Sequence, residues 1–344
     1  MNPGLFRGFL LPKINNIKKE KEIIMKKLII FFVAVILAFI LVKQLKKNRS
    51  TTKYTIGILQ TASHPALDAA RSGFTDALKE TFGDTIHCII QNAQGSIITA
   101  HTIAQQFHTN PQIDCFFTIA TPAAIALSTV EKKRPIVIAA VTDPQALGLI
   151  HPTTNVCGVR DMINVKAEIN MLAQLVPQAK TIGILYTSGE TNSLTMVQEM
   201  HKELEKHNLI SLDFTVLNET EIPTAVGLAC RKTDALLAPT DNTVAATISL
   251  ISTITHEHKK PLFVSDNMLV KFGALAARGI DYKESGKQAA AMVQKILIGH
   301  KKPAELSIEN GHTEKIIINS KIARDLHIII PEKLKGDLLY VNPE

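Results

Sequence analysis

The body of this sequence alternates between short apolar runs and longer segments with apolar residues at helical spacing. The first series begins with YTIGILQ at 54–60 and continues with apolar runs at 85–93, 115–120 and 135–144. Between them, segments such as HPALDAARSGFTDALKETF place apolar residues three and four positions apart, as an amphipathic helix does. Buried strands alternating with helices predict an α/β fold whose parallel sheet is covered on both faces.

The same alternation starts again after residue 165. Apolar runs at 181–186, 212–217, 235–239 and 261–266 are separated by segments of helical spacing. Two successive series predict two doubly wound parallel-sheet lobes. The C-terminal segment adds strand, helix, strand and short helix, so we expect the chain to cross between the lobes at a hinge more than once. The predicted boundaries are 54–158 with about 268–300 for the first lobe, and 159–267 with about 301–335 for the second.

A hydrophobic segment precedes the body. Residues 28–42, LIIFFVAVILAFILV, contain no charge and are flanked by lysines on both sides. Such a run is typical of an export signal or a short membrane anchor, and an uncleaved anchor is the first choice because no small-residue cleavage site follows. We expect residues 1–24 to be an upstream extension and 25–53 to be signal, anchor and linker. The basic flanks place the body outside the membrane, in the periplasm or at the cell surface.

Charge and cysteine usage remove several classes of function. The net charge is +7, but the first 53 residues hold twelve Lys or Arg against two Glu, which leaves the body slightly acidic. The pI of 9.1 therefore does not indicate a nucleic-acid partner. The four cysteines show no C-x-x-C pair and match no zinc or redox spacing, so we expect no metal and buried thiols in preference to a disulfide.

Polar loops follow the predicted strands in both series. Open α/β sheets bind ligands at the carboxyl ends of their strands, so these loops predict a site between the lobes. The alternative to ligand binding is helix capping, and PTDN at 239–242 illustrates it, because Asp and Asn side chains also cap helix N-termini. The candidate ligand-binding residues are His64, Asn92, Thr121, Asp143, Ser188, Glu190, Asn192, Ser193, Asp241, Asn242 and Asp266.

Signals for catalysis are weak. The sequence has no H-E-x-x-H, no G-x-S-x-G and no phosphate-binding loop. His64 at a strand end could act as a general base, but a histidine before Pro65 more often packs at a turn. The interpretation is a binding protein without catalytic residues or a cofactor.

Taken together, the loops resemble a known family. IGILQTASHPALDAARSGFTDAL, QNAQGS, ATPAA, PIVIAAVTDPQALGL, IGILYTSGETNS, PTDNTV, PLFVSDN and GALAARGIDYKESGKQAA are similar to the ABC-transporter substrate-binding family that includes tryptophan- and tyrosine-binding members. The resemblance covers about residues 54–332, and it departs at QNAQGS, where the family commonly has Asp and this chain has Ser96.

The resemblance implies a type I periplasmic-binding fold whose lobes close on a small ligand, with a partner permease and a separate ATPase. The first candidates for the ligand are amino acids, aromatic ones among them. For an amino acid, Asp143, Asp241 and Asp266 are candidates for the ammonium. Hydroxyl and N–H groups at Thr121, Ser188 and Ser193 are candidates for the carboxylate. A ligand sensor of the same fold and an exported enzyme remain as alternatives. The ligand, cleavage of the anchor, the start at Met1 or Met25 and the oligomeric state stay open.

Overall fold

The computed structural model describes residues 25–28, 30–39, 53–312, 316–332, 334 and 338–341. The chain divides into two compact units, Met1–Thr51 and Thr52–Glu344. In the first unit, residues 25–28 and 30–39 are helical and exposed. No helix within the described residues has the length and apolar character needed to cross a membrane. The predicted extension at 1–24, positions 29 and 40–42 of the predicted anchor, and linker residues 43–52 lie outside the described residues.

The second unit contains two sheets. The first sheet is parallel throughout and has the order β11-β5-β4-β3-β1-β2. Its strands are β1 (Tyr54–Gln60), β2 (Ile86–Asn92), β3 (Cys115–Ile119), β4 (Ile136–Val141), β5 (Val156–Arg160) and β11 (Glu309–Asn310). The helices that cover it are α1 (Pro65–Phe82), α2 (Ile97–Thr109), α3 (Thr121–Val130) and α9 (Tyr282–Leu297).

The second sheet has the order β13-β12-β10-β9-β8-β6-β7 and is parallel except between β10 and β12. Its strands are β6 (Thr181–Thr187), β7 (Ile210–Val216), β8 (Ala235–Ala238), β9 (Leu262–Val264), β10 (Ala276–Ala277), β12 (Ile316–Asn319) and β13 (Leu338–Val341). Its helices are α4 (Val165–Leu175), α5 (Thr191–Lys206), α6 (Ile222–Lys232), α7 (Asn242–Ala246), α8 (Ile248–Glu257) and α10 (Ser320–Asp325). The two parallel-sheet lobes predicted from the hydrophobic pattern are confirmed.

Alternate residues of each strand face opposite layers, which explains why the strands are apolar without interruption. In β3, Phe117 packs with α1 and α9 on one face, while Phe116 packs with α2 and α3 on the other. Phe117 also stacks on Phe74 of α1, with ring centroids 3.7 Å apart. Each sheet thus separates two hydrophobic clusters, as a sheet buried on both faces requires.

The chain passes between the lobes three times in the described part of the molecule: at 161–164, at 278–281 and between β11 and β12. The C-terminal segment differs from the predicted boundaries at two places. Strand β10, expected in the first lobe, pairs with β9 of the second lobe. Strand β11, expected in the second lobe, pairs with β5 of the first lobe. Both are two-residue strands whose pairing depends on their partners, and such short runs carry no periodicity of their own.

Helices α1 and α9 pack unusually close together because each has a glycine at the contact. A Cβ on Gly286 would lie 2.0 Å from the carbonyl oxygen of Ala70, and one on Gly73 would lie 2.0 Å from that of Lys283. This contact holds the N-termini of both helices, at His64 and Tyr282, beside the carboxyl ends of β1 and β5.

Candidate functional site

A cavity lies between the two lobes at the carboxyl ends of their strands. The free space that it encloses is about 30 Å³, room for only a water molecule or two. In both sheets the strand order reverses beside the first strand of the series (β2-β1-β3 and β7-β6-β8), and loops flanking these reversals reach the cavity. The residues lining it are His64, Leu67, Ala120, Ala140, Thr142, Asp161, Asn192, Pro239, Thr240, Asp241, Asn242, Ala245, Asp266, Leu269 and Tyr282.

Asp161 is the buried carboxylate on the first-lobe side. It directly follows β5, is 4% exposed, and its Oδ2 accepts a hydrogen bond from the Tyr282 hydroxyl at 3.0 Å. Its Oδ1 makes no well-formed hydrogen bond within the described residues, and the Thr142 hydroxyl, which acts on the same carboxylate, makes none either. Burial raises the pKa of Asp161, while the hydroxyls of Tyr282 and Thr142 act to lower it. A buried acceptor without a partner is costly, so Oδ1 is suited to a donor from a bound molecule.

Asp241 also lines the cavity, but its carboxylate is used by the protein. Its Oδ1 accepts from Val244 N at 2.9 Å and from the Thr187 hydroxyl at 2.9 Å. Its Oδ2 accepts from Thr187 N and from the Ser193 hydroxyl, both at 2.7 Å. Asp241 therefore caps α7 and joins the loops after β6 and β8. Burial and the nearby charge of Glu190 raise the pKa of Asp241, against these donors.

Glu190 forms the centre of a second network at the start of α7. Its carboxylate accepts from the backbone N–H groups of Asn242 (3.0 Å) and Thr243 (3.2 Å). It also accepts from the side-chain amides of Asn242 (2.6 Å) and Asn192 (3.0 Å). The positive end of α7 is thus already occupied by protein carboxylates, and this part of the second lobe offers little to an anionic ligand.

One side-chain contact joins the lobes across the cavity. His64 Nε2 lies 3.3 Å from Asn242 Oδ1, and both residues are buried. Asn242 also lines the outer mouth, a second depression of about 190 Å³ bounded by Thr61, Ser63, Gln94, Ile97, Glu190 and Leu217 among others. The contact between His64 and Asn242 therefore stands between the inner cavity and this outer mouth.

The charge of the cavity is negative. Its lining in the described chain includes three Asp and no Lys or Arg. His64 could carry a positive charge, but burial lowers its pKa. Groups of three or more His, Cys, Asp or Glu suited to a metal ion are absent from the described residues. The arrangement favours a ligand that brings its own positive charge.

Two alanines adopt left-handed backbone angles where the first lobe meets the cavity. Ala120, which directly follows β3, has φ 74°, and Ala140, the penultimate residue of the neighbouring strand β4, has φ 57°. Non-glycine residues in this region cost about 1–3 kcal/mol each, and such strain is found mainly at functional sites. Their small side chains leave this wall open to a ligand.

Of the predicted site residues, the structure brings five to the cavity: His64, Asn192, Asp241, Asn242 and Asp266. Asn192 keeps its Oδ1 without a partner among the described residues. Asp266 Oδ1 caps the turn that follows β9 by accepting from Met268 N at 2.8 Å.

The other six predicted residues do not line the cavity: Asn92, Thr121, Asp143, Ser188, Glu190 and Ser193. Asn92 and Asp143 accept from backbone N–H groups of their own turns, at 2.8 and 3.0 Å. Ser188 donates weakly to the Val216 carbonyl at 3.5 Å. Glu190 and Ser193 act through the networks described above. These polar loops stabilise turns and helix starts, which the same residue types do equally well. Thr121 begins α3, beside Ala120, and its buried hydroxyl has no partner in the described structure.

Sequence reasoning missed Asp161, Thr142 and Tyr282. Thr142 lies inside VTDP, where Asp143 was chosen for its charge. Asp161 follows the short strand VCGVR, which was not recognised as a strand. Had that strand been recognised, the rule that ligands bind at carboxyl ends would have selected Asp161.

Comparison with known proteins gives consistent matches. A family model for ABC transporter substrate binding proteins matches residues 55–337. A tyrosine-binding protein of Clostridioides difficile (strain R20291) is 33% identical over 299 residues, 85% of this chain and 85% of that protein. An uncharacterised protein of Rickettsia prowazekii (strain Madrid E) is 25% identical over 281 residues, 81% of this chain and 87% of that protein.

Two solved structures clarify the arrangement of the lobes. The ABC domain from Streptococcus pneumonia in complex with L-Trp is 34% identical, with a TM-score of 0.80 and coverage of 84% of this chain and 100% of that one. The ligand-free, open structure of a substrate-binding protein with adhesive properties from Clostridium difficile is also 34% identical, with coverage of 85% and 100%, but its TM-score is 0.64. At equal identity, the better match to the liganded protein indicates that the lobes are closed here.

Proposed function

Because this chain belongs to the ABC transporter substrate-binding protein family, we propose that it is the solute-binding component of an uptake system and carries a free amino acid. The family binds solutes and is not enzymatic, so the prediction of a binding protein without catalysis is confirmed. The proposal concerns the ligand, the residues that hold it and the transport partners.

The observation that carries the proposal is the free oxygen of Asp161. An ammonium group needs acceptors, and the cavity offers unpartnered acceptor atoms on Asp161 and Asn192 from opposite lobes. A charge-assisted hydrogen bond to a buried carboxylate contributes about 1.5–3 kcal/mol. A ligand that satisfies acceptors from both lobes stabilises the closed state by its differential affinity.

For the carboxylate of the ligand we propose the start of α3 in the first lobe. This helix has ten residues and no acidic residue in its first turn, and its N-cap Ala120 has no capping side chain; of its first N–H groups, that of Ala123 already donates to the Thr61 hydroxyl at 3.1 Å. The unpartnered hydroxyl of Thr121 lies at the same end. Helix N-termini bind anions, and the start of α7 in the second lobe is already occupied by Glu190 and Asp241.

The side chain of the ligand is proposed to be aromatic. Much of the cavity wall is apolar and three of its residues are alanines, and we propose that the lobes move apart to admit a large side chain; these residues are Leu67, Ala120, Ala140, Pro239, Ala245 and Leu269. Two of the relatives named above are described as a tyrosine-binding protein and as a complex with L-Trp. Tyrosine and tryptophan are therefore the first ligands to test.

We further propose that the body functions outside the cytoplasmic membrane and delivers its ligand to an ABC permease driven by a separate ATPase. The fifteen apolar residues at 28–42 support export, and through them we propose attachment to the membrane. Protease treatment of intact cells tests this location, because a body outside the membrane is digested while a cytoplasmic protein is protected.

The ligand is identified by a thermal-shift screen of the full-length chain in mild detergent against the twenty amino acids, followed by calorimetric titration. A ligand that binds only the folded protein raises the melting temperature with concentration. We expect L-tyrosine or L-tryptophan to give the largest increase. Failure of all twenty to raise the melting temperature contradicts the proposal.

A further inference from the structure

The orientation of the Asn242 side chain is fixed by its neighbours. Its amide nitrogen donates to Glu190 Oε2 at 2.6 Å, and a carboxylate accepts hydrogen bonds but cannot donate them. The amide oxygen must therefore point the other way, toward His64 Nε2 at 3.3 Å. The ambiguity between oxygen and nitrogen that usually attends asparagine is removed here by chemistry.

This orientation also fixes the state of His64. Because Asn242 Oδ1 is an acceptor, His64 Nε2 must carry the hydrogen. In the neutral ring Nδ1 is then an acceptor, and it is buried without a partner among the described residues. The two ring nitrogens of His64 thus have different roles. Nε2–H donates to the opposite lobe, while Nδ1 is an acceptor without a partner on a residue that lines the cavity.

We propose that His64 is a latch that couples ligand recognition to closure of the lobes. In this inference, which rests on the proposed amino-acid-binding function, a hydrogen-bond donor of the bound amino acid occupies Nδ1. That bond holds the ring in the tautomer whose Nε2–H bonds Asn242. Protonation of the ring places a second hydrogen on Nδ1, which then faces the donor of the ligand and can no longer accept a hydrogen bond from it. The latch therefore forms only when His64 is neutral.

The proposal predicts that binding releases a proton. An exposed histidine titrates near pH 6.5, and opening of the lobes would expose His64 to water. Burial lowers the pKa of His64 in the closed structure, against the hydrogen bond that the ring donates to Asn242 and the charges of Asp68 and Asp241. Since the closed state has the lower pKa, affinity is full above about pH 6.5 and falls by up to about tenfold per pH unit below it.

Other ionisable groups also face the cavity, so the experiment must distinguish their protons from that of His64. Asp68 lies on the helix of His64, Glu190 and Asp241 on the second lobe, and Asp161, Asp266 and Tyr282 line the cavity. Burial raises the pKa of Asp161 and Asp241, and a ligand ammonium beside them acts to lower it, so these carboxylates can also release protons on binding. A proton released near pH 6.5 is therefore assigned to His64 only if the variant His64→Gln abolishes the release.

The test is calorimetric titration of the full-length chain with L-tyrosine and L-tryptophan, in buffers of different ionisation enthalpy at pH 6.5 and pH 8. Two variants separate the roles of the ring. In His64→Gln the amide nitrogen replaces Nε2 and keeps the donor to Asn242, but the acceptor and the titration are lost. In His64→Asn the amide replaces Nδ1 and keeps an acceptor, but it does not reach Asn242.

For the wild type we expect release of about half a proton at pH 6.5 and almost none at pH 8. His64→Gln should release none and bind about tenfold more weakly at pH 8, while His64→Asn should release the bound probe about tenfold faster in stopped-flow measurements. Binding by the wild type without proton release at pH 6.5 would overturn the latch, and this holds even if a variant does not fold. Equal release by His64→Gln overturns it too. Failure of the wild type to bind either probe instead overturns the proposed function, and the latch with it.

Discussion

Replacement of Asp161 by Asn gives the sharpest separation between a ligand-binding carboxylate and a structural one. The amide keeps the volume, and its oxygen can still accept the Tyr282 hydroxyl that now lies 3.0 Å from Oδ2. The change removes a buried negative charge that has no cationic partner in the described structure. The free energy of unfolding of the ligand-free protein should therefore not fall, because burial disfavours the charge.

Binding should change in the opposite sense. If Asp161 Oδ1 accepts from the ligand ammonium, loss of the charge removes about 1.5–3 kcal/mol, which is roughly a ten- to hundredfold increase in Kd. Calorimetric titration gives Kd, and chemical denaturation without ligand gives stability. The matched control is Asp143→Asn, since Asp143 accepts from Ala146 N at 3.0 Å in a turn away from the cavity and should leave Kd within twofold. Wild-type affinity in Asp161→Asn, or a parallel loss of stability and affinity, refutes the assignment.

Three further predictions concern the frame around the cavity. Asp241→Ala leaves the buried N–H groups of Thr187 and Val244 without their acceptor, so urea denaturation should show a loss of about 2–4 kcal/mol; unchanged stability would mean that Asp241 is not the cap. Burial raises the pKa of Glu168 to about 8, so this group costs stability as pH rises from about 4.3 to 8, and Glu168→Gln should raise the melting temperature more at pH 8 than at pH 5. An equal change at both pH values contradicts a neutral Glu168. Gly286→Ala forces α1 and α9 apart and should cost about 1–3 kcal/mol in the same denaturation assay, whereas an unchanged midpoint would show that the helices separate freely.

The hydrophobic pattern predicted most of the fold because the inner strands are buried on both faces and each helix on one, while β2 and β7 are partly exposed. Phe116 and Phe117 show this directly, since neighbouring residues of β3 enter different clusters. The same pattern could not place β10 and β11. Those strands are two residues long, and their positions follow from α9 packing on α1 through Gly73 and Gly286.

The sequence predicted which loops reach the cavity, but it did not predict which side chains in those loops are free to bind a ligand. PTDN does reach the cavity, but the donors that occupy Asp241 come from Thr187 and Ser193, which lie far away in sequence. Whether a carboxylate is free or saturated depends on such tertiary partners. Asp161 is left with a free oxygen because its neighbour Tyr282 offers a single hydroxyl from a helix that the chain reaches only at its second crossing.

The central claim is that an amino acid is held between the lobes by its ammonium group. Calorimetric titration of the full-length chain with L-tyrosine and with 3-(4-hydroxyphenyl)propionate, and with L-tryptophan and 3-(indol-3-yl)propionate, tests it directly, because each pair differs by the amine alone. We predict that at least one amino acid binds and that its deaminated partner binds more than tenfold more weakly, as loss of a charge-assisted bond requires. Equal affinity within each pair would contradict the account.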